Sequence, residues 1–307
     1  MSVVFERLAL IGLGLIGSSI AHAARRGGLA GEIVGYARSP ETRDTAARLG
    51  FLDRVADSAA EAVAGADCVI LCVPVGAIGT VTGQIAGSLA PGAILSDVGS
   101  VKAAVIAQAL PHLPDGIELI PAHPIAGTEE SGPESGFAEL FDGRWCILTP
   151  LPENDPAAVA RLRAFWEGLG SQVDAMDAAH HDRVLAVTSH VPHLIAYSIV
   201  GTASDLETVA ESEVVKYSAS GFRDFTRIAA SDPTMWRDVF LHNREATLEV
   251  LGRVTEDLFA LQRAIRWGDG DTLFERFSET RAIRRGIVEA GQDTASPDFG
   301  RGKTPEE

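Results

Sequence analysis

The chain has 307 residues, with 26 Lys plus Arg against 42 Asp plus Glu and a formal net charge of −16. With 46% hydrophobic and 22% charged residues it has an ordinary globular composition, which excludes a disordered or fibrous protein and allows two domains with filled cores. So acidic a chain argues against a nucleic-acid or anionic-membrane partner, since both need a Lys/Arg excess.

Residues 7–11, 32–36, 68–73, 93–97, 118–122 and 145–149 read as buried strands, each a short apolar run. Helical patterns separate them: an Ala-rich one from about Leu15, then 41–49, 58–64, 101–110 and 157–169. That alternation predicts βαβ units on a parallel sheet. The apolar stretch 8–24 resembles a secretion signal, but Glu6 cancels the charge of Arg7, and its glycines have another explanation. Secretion is the weaker reading.

Gly12-Leu13-Gly14-Leu15-Ile16-Gly17 follows the first strand and opens the first helix. In that context Gly12 permits the tight turn, Gly14 lets backbone approach a pyrophosphate, and Gly17 allows close helix–strand packing. The helix N-terminus, at Leu15 and Ile16, offers free N–H groups to the phosphates. These five residues are therefore candidates for cofactor binding, within a dinucleotide-binding domain of the Rossmann type. Cofactor choice is read after the second strand, where NAD-binding folds place an acid on the ribose 2′-OH. This chain has Ala37, Arg38 and Ser39 there. Without a carboxylate, and with Arg38 able to pair with a 2′-phosphate, the reading tips toward NADP and leaves NAD open. Val73 and Pro74, at the exit of the third strand, are counted with the cofactor residues.

Cys68, Cys72 and Cys146 make neither a disulfide framework nor a zinc site. They suggest a reducing cytosol, and the apolar stretches fall short of the roughly 20 residues a membrane helix needs.

Ligands collect outside the carboxyl ends of strands in such sheets. Ser100 follows the fourth strand at a helix start, where a plain N-cap is its commoner role. His123 leaves the fifth strand within Pro121-Ala122-His123-Pro124-Ile125-Ala126-Gly127, and is the best candidate general base.

After Asp177 glycine becomes sparse and helical patterns take over at 178–203, 207–216, 224–228, 233–267 and 271–290. The domains are therefore read as 1–177, dinucleotide-binding, and 178–290, an all-helical substrate and dimerisation domain, with a polar, disordered tail at 291–307. His180 and His181 precede Asp182 and are read as facing solvent. His190 and His193 are three apart, but no further ligand joins them, so no metal is expected. Arg223 and Arg227 are four apart, on one helix face, and either could take a substrate carboxylate. Leu251, Val254, Leu258, Leu261 and Ile265 form an apolar seam, either packing within the domain or forming a subunit interface.

Five motifs occur in order: the glycine loop, Asp97-Val98-Gly99-Ser100-Val101-Lys102, His123-Pro124-Ile125-Ala126-Gly127-Thr128-Glu129, Ser189-His190-Val191-Pro192-His193 and Gly221-Phe222-Arg223-Asp224-Phe225-Thr226-Arg227-Ile228-Ala229. With them the chain resembles the prephenate/arogenate (cyclohexadienyl) dehydrogenases of tyrosine biosynthesis, from about residue 8 to 290. The resemblance implies oxidative decarboxylation with hydride transfer to NAD or NADP. It implies His123 as the catalytic histidine, Ser100 bonding the substrate 4-hydroxyl, and Arg227, His193, Thr128 and Gly127 as substrate-binding residues. A dianionic substrate needs a fixed cation, and none is evident near His123 in the first half. Arg227 is therefore expected from the helical domain of the same or the partner subunit, with Glu129 and Arg223 or Asp224 forming an ion network that gates the cleft.

Many relatives carry an acid after the second strand, so Ala37-Arg38-Ser39 departs from their pattern. Neither a fused chorismate mutase nor an ACT domain is expected, so tyrosine feedback would act at the active site. The implied assembly is a cytoplasmic homodimer through the helical domain, with a small-molecule substrate, no nucleic acid and no membrane. Two alternatives stand beside this reading: another two-domain β-hydroxyacid or imine oxidoreductase, and a non-catalytic dinucleotide sensor. His123 in its Pro/Gly frame, with Ser100 upstream, separates the family from the former; turnover separates it from the latter. If His123 is unperturbed, kcat should fall below about pH 6.5.

Overall fold

The computed structural model describes residues 3–128, 130–210 and 220–289. One compact unit runs to Val250 and a second begins at Leu251.

In the first unit, β1 (Phe5–Ile11), β2 (Ala30–Tyr36), β3 (Arg54–Val55), β4 (Cys68–Leu71), β5 (Ile94–Asp97) and β6 (Glu118–Leu119) form a parallel sheet in the order β3-β2-β1-β4-β5-β6. Successive side chains of a strand face opposite sides, and β1 divides its residues accordingly. Leu8 and Leu10 join one core with Ile20, Phe165 and Trp166, while Ala9 and Ile11 join the other with Val69, Leu95 and Val105. Helices α1 (Leu15–Gly27), α2 (Pro40–Leu49), α3 (Ala59–Val63), α4 (Ile78–Ile85), α5 (Lys102–Ala109) and α6 (Pro156–Gly168) complete this part. The stretch that imitates a secretion signal is thus β1, the glycine loop and α1, and its apolar residues belong to the core.

The sheet does not continue as expected through residues 118–122. Ile120 still donates to the Leu95 carbonyl, but Pro121 has no N–H to extend the ladder. The chain turns away, and β7 (Ala122–Pro124) pairs antiparallel with β8 (Trp145–Leu148), which pairs in parallel with β9 (Gln172–Ala175). His123 therefore lies within a strand of a separate three-stranded sheet, not at the exit of a parallel one. Helix α4 and strands β3 and β9 were not anticipated; the two strands are short or largely exposed and lack an apolar run.

After Asp177 come α7 (Ala178–Leu185), a π-helical turn over Ala186–His190, α8 (Val191–Ala210), α9 (Ser220–Thr226), a 3-10 turn over Arg227–Ala230, α10 (Pro233–His242), α11 (Arg244–Trp267) and α12 (Gly270–Ile287). The expected helix 233–267 breaks at Asn243, and the expected helix 207–216 and tail 291–307 lie partly or wholly outside the described residues. Trp236 and Val239 of α10 are buried in the second core of the nucleotide sheet, within the first compact unit.

Contrary to expectation, one run, Ala178–Asp205, is long and apolar enough by length and composition to cross a membrane, with a mean hydropathy of 1.4 over its best window. Its first half carries His181, Asp182 and His190, all buried among polar partners of the first unit. In the second unit, Leu258, Phe259, Ile265, Phe274 and Phe277 are exposed, whereas Leu251, Val254 and Leu261 are half-buried.

Candidate active site

The glycine loop has the geometry its spacing predicts. Gly12 sits at φ +105°, and a Cβ there would lie 2.1 Å from the Cys72 carbonyl oxygen. At Gly17 a Cβ would lie 2.1 Å from the Gly12 carbonyl oxygen, so α1 packs directly on the loop. Gly14, between them, has nothing within 4 Å of such a Cβ. Two glycines close the turn and the third leaves room for a ligand. Helix α1 starts at Leu15 with no side-chain cap and no acid in its first turn, leaving its N–H groups and positive end for phosphates. Cys72 and Val73 flank the same loop, and Pro74 is exposed beside them.

At the end of β2, Arg38 is exposed, while the Ser39 hydroxyl caps α2 by accepting from the Thr42 N–H. Arg43, overlooked in the sequence, donates to the carbonyls of Ala37 and Arg38, and its guanidinium lies 5.5 Å from the Tyr36 ring centre. The helical spacing of Arg43 after Ser39 was the available signal. This corner thus carries two guanidinium groups.

At the carboxyl end of β5, Asp97 and Lys102 form an ion pair with Lys102 fully buried. The carboxylate accepts the Gly99 and Ala122 N–H groups, at 2.7 and 3.2 Å, while Lys102 Nζ donates to the Ala122 carbonyl at 2.7 Å. Burial pushes the carboxyl up and the ammonium down, and their mutual contact opposes both shifts. Lys102 is a cation close to His123 that the sequence reading missed. It is committed to Asp97 and Ala122.

His123, on β7, is buried, and its Nδ1 lies 2.8 Å from His181 Nε2. His181 Nδ1 lies 2.8 Å from Asp182 Oδ1. His181 is fully buried, correcting the expectation that it faces solvent; only His180 is exposed. The signal was helical spacing, since 181, 182, 185 and 186 form one buried face. Asp182 also accepts the backbone N–H groups of Lys102 at 2.8 Å and Ala103 at 3.0 Å, capping α5 from outside. Ser100 is therefore not the N-cap: that position is Val101, which has no capping side chain, and Ser100 lies half-buried one residue before it. Burial, together with His181, Lys102 and His190, holds the His123 pKa well below the usual imidazole range. Burial lowers His181 too, against the opposing pull of Asp182.

The π-helical turn, a feature frequent at functional sites, brings His190 and His193 to this cluster. Asn243 donates to the Asp182 carbonyl at 2.8 Å and contacts His190 Nδ1 at 3.0 Å, and burial pushes the His190 pKa down to about 4. His193 lies with Nδ1 2.8 Å from the Ser189 carbonyl oxygen and stacks on Trp236, ring centres 3.7 Å apart. Among the described residues no group of three His, Cys, Asp or Glu could hold a metal ion. Burial lowers the His193 pKa, and the Arg227 guanidinium adds to it, placing Arg227 in the same electrostatic neighbourhood. Arg223 is exposed on α9, and Arg227 is half-buried in the 3-10 turn that follows it, so the two do not belong to one α-helix. Gly127 and Thr128 are exposed in the loop after β7, where Thr128 Oγ1 accepts the Glu130 N–H; Glu129 lies outside the described residues.

A Rossmann-type sheet, an open glycine loop and a buried histidine held neutral beyond its strands define a dinucleotide-dependent oxidoreductase. Residues 20–175 match the nucleotide-binding domain of prephenate dehydrogenase, and residues 177–279 match the prephenate dehydrogenase dimerization domain. The cyclohexadienyl dehydrogenase of Zymomonas mobilis is 44% identical over 281 residues, covering 92% of this chain and 96% of that protein. The crystal structure of prephenate dehydrogenase from A. aeolicus, in complex with hydroxyphenyl propionate and NAD+, superposes with a TM-score of 0.85 at 34% identity, covering 94% of this chain and 100% of that one. Synechocystis arogenate dehydrogenase superposes with a TM-score of 0.76 at 27% identity, covering 92% and 99%. The chain belongs to the prephenate dehydrogenase family.

Proposed function

We propose that the chain oxidatively decarboxylates prephenate, arogenate or both, with His123 as general base. The observation that carries this reading is a buried imidazole next to the carboxyl end of β5, bonded through Nδ1 to His181, with burial favouring its neutral form. When bound, the nicotinamide accepts the hydride from ring C4. His123 takes the proton of the C4 hydroxyl as that hydride leaves, so the carbinol becomes a carbonyl. The bond from C1 to the ring carboxylate then breaks, CO2 departs, and its electron pair closes the aromatic ring. The oxygen becomes a phenolate, which recovers the proton.

Ser100 orients the 4-hydroxyl, and Arg227 receives a substrate carboxylate through its planar fork. His193, Gly127 and Thr128 complete the substrate pocket. The glycine loop, with Val73 and Pro74, holds the pyrophosphate half of the cofactor. Arg38 and Arg43, with no acid between them in the segment Ala37–Arg43 other than the exposed Glu41, favour a 2′-phosphate and hence NADP. Residues 1–177 serve the nucleotide and 178–290 the substrate. The exposed apolar residues of α11 and α12 support a homodimer, and three free cysteines suit a reducing cytoplasm.

Initial rates with prephenate or arogenate, each with NAD+ or NADP+ and followed at 340 nm, test the reading. Absence of turnover in all four combinations would overturn it.

A further inference from the structure

We propose that His181 and Asp182 are positioning residues that fix the tautomer of His123, reserving its Nε2 as the atom that takes the substrate proton. This rests on the reading of His123 as base. The Asp182 carboxylate can only accept hydrogen bonds. It already accepts two backbone N–H groups of α5. Its third contact, 2.8 Å to His181 Nδ1, therefore requires a proton on that nitrogen. A neutral imidazole has one donor and one acceptor, so His181 Nε2 becomes an acceptor. The 2.8 Å contact from His123 Nδ1 then requires His123 to donate. The lone pair of neutral His123 is left on Nε2.

The opposite assignment needs a doubly protonated His181 donating to His123 Nδ1, which would put the remaining His123 proton on Nε2 and disable it. Burial works against that cation, with Lys102 adding to the penalty while Asp182 and Asp97 oppose it. The groups facing the pair also come from elsewhere: Lys102 from α5, Asp97 from β5, and His190 from the π turn. His190 accepts from Asn243 at Nδ1 and so has its own partner. During the reaction one proton moves, from the substrate hydroxyl to His123 Nε2. The charge is shared by hydrogen bonding along the chain, and no proton passes to His181 or Asp182. A carboxylate orienting a catalytic imidazole follows the same logic as in Ser-His-Asp triads, with a second histidine here placed between.

The experiment reads tautomers directly. In 15N-histidine-labelled protein, the two-bond proton–nitrogen correlations of His123 and His181, assigned with His123→Gln and His181→Gln, are expected to show both as Nδ1–H at pH 7.5. A spectrum with His123 as Nε2–H overturns the proposal whatever the kinetics. His181→Leu removes the acceptor and is expected to lower kcat at least about tenfold, with KM for substrate and cofactor within about twofold. His181→Gln, whose carbonyl can still accept from Nδ1–H, is expected to restore most of kcat and the Nδ1–H signal. Unchanged kcat in His181→Leu alongside an inactive His123→Gln would overturn the positioning role and leave the base in place. Full turnover in His123→Gln would remove the base itself. Should His181→Leu fail to fold, the wild-type spectrum alone still decides.

Discussion

Asp97 and Ala122 are joined at the point where the parallel ladder stops. The carboxylate accepts the Ala122 N–H at 3.2 Å, and Lys102, paired with that carboxylate, donates to the Ala122 carbonyl at 2.7 Å. Two side chains thus supply the bonds that a continuing strand would have supplied, one residue before His123.

Lys102→Met should leave a buried carboxylate without its counter-charge and cost about 3–5 kcal/mol. Urea unfolding at pH 7.5 measures it. Adding Asp97→Leu is expected to recover part of that stability but not kcat, because Ala122 then lacks both partners and His123 loses its fixed backbone.

With His123 as the proposed base, its protonation should set the acid limb of kcat/KM. Its pKa is held well below the ordinary imidazole value by burial and by His181, Lys102 and His190. The midpoint should therefore lie well below the sequence-based expectation of about 6.5 for a free histidine. A midpoint at or above 6.5 would show that His123 is neither buried nor flanked by those groups in solution.

Stability should fall in the same direction for a separate reason. His190 has a folded-state pKa of about 4, so between about pH 6.5 and 4 the unfolded chain binds its proton and the folded chain does not. Its contribution is complete above pH 6.5 and declines as the pH drops, by roughly 3 kcal/mol in total at the lower end. Replacing His190 with Gln should flatten that part of the curve of urea midpoint against pH.

Gly12→Ala and Gly14→Ala should fail in different ways. The first places a Cβ 2.1 Å from a backbone oxygen at φ +105°, and is expected to yield misfolded protein. The second meets nothing in the protein, so thermal stability should change little while KM for the cofactor rises about tenfold or more through loss of close pyrophosphate approach. A Gly14→Ala enzyme with unchanged cofactor KM would argue that the loop does not hold the pyrophosphate.

Arg227→Ala should raise KM for the substrate by about 100-fold, the loss of a charge-assisted contact of about 3 kcal/mol, and leave cofactor KM unchanged. Equal KM values would return Arg227 to a structural role.

The glycine loop, the buried strands and His123 were legible because each is local: one spacing or one apolar run suffices to read it. The His123–His181–Asp182 chain was not, since 58 residues separate its histidines and nothing near either one names the other. Reading His181 as facing solvent followed from its polarity; the burial of residues 181, 182, 185 and 186 on one face of α7 argues otherwise. Lys102 was hidden for a similar reason. A lysine is rarely fully buried unless paired, and its partner is recognisable only once β5 and α5 are assembled. The break at Pro121 was open to view, but apolarity on both sides of the proline concealed it.

The capping of α5 by Asp182 limits how this molecule can breathe. Swinging α7 away from the nucleotide sheet would strip two N–H groups from the carboxylate and leave the start of α5 bare, at a cost of roughly 1.5–3 kcal/mol for each bond to a charged group. The placement of His181 beside His123 is thereby tied to the start of α5, and the two helices must shift together or not at all.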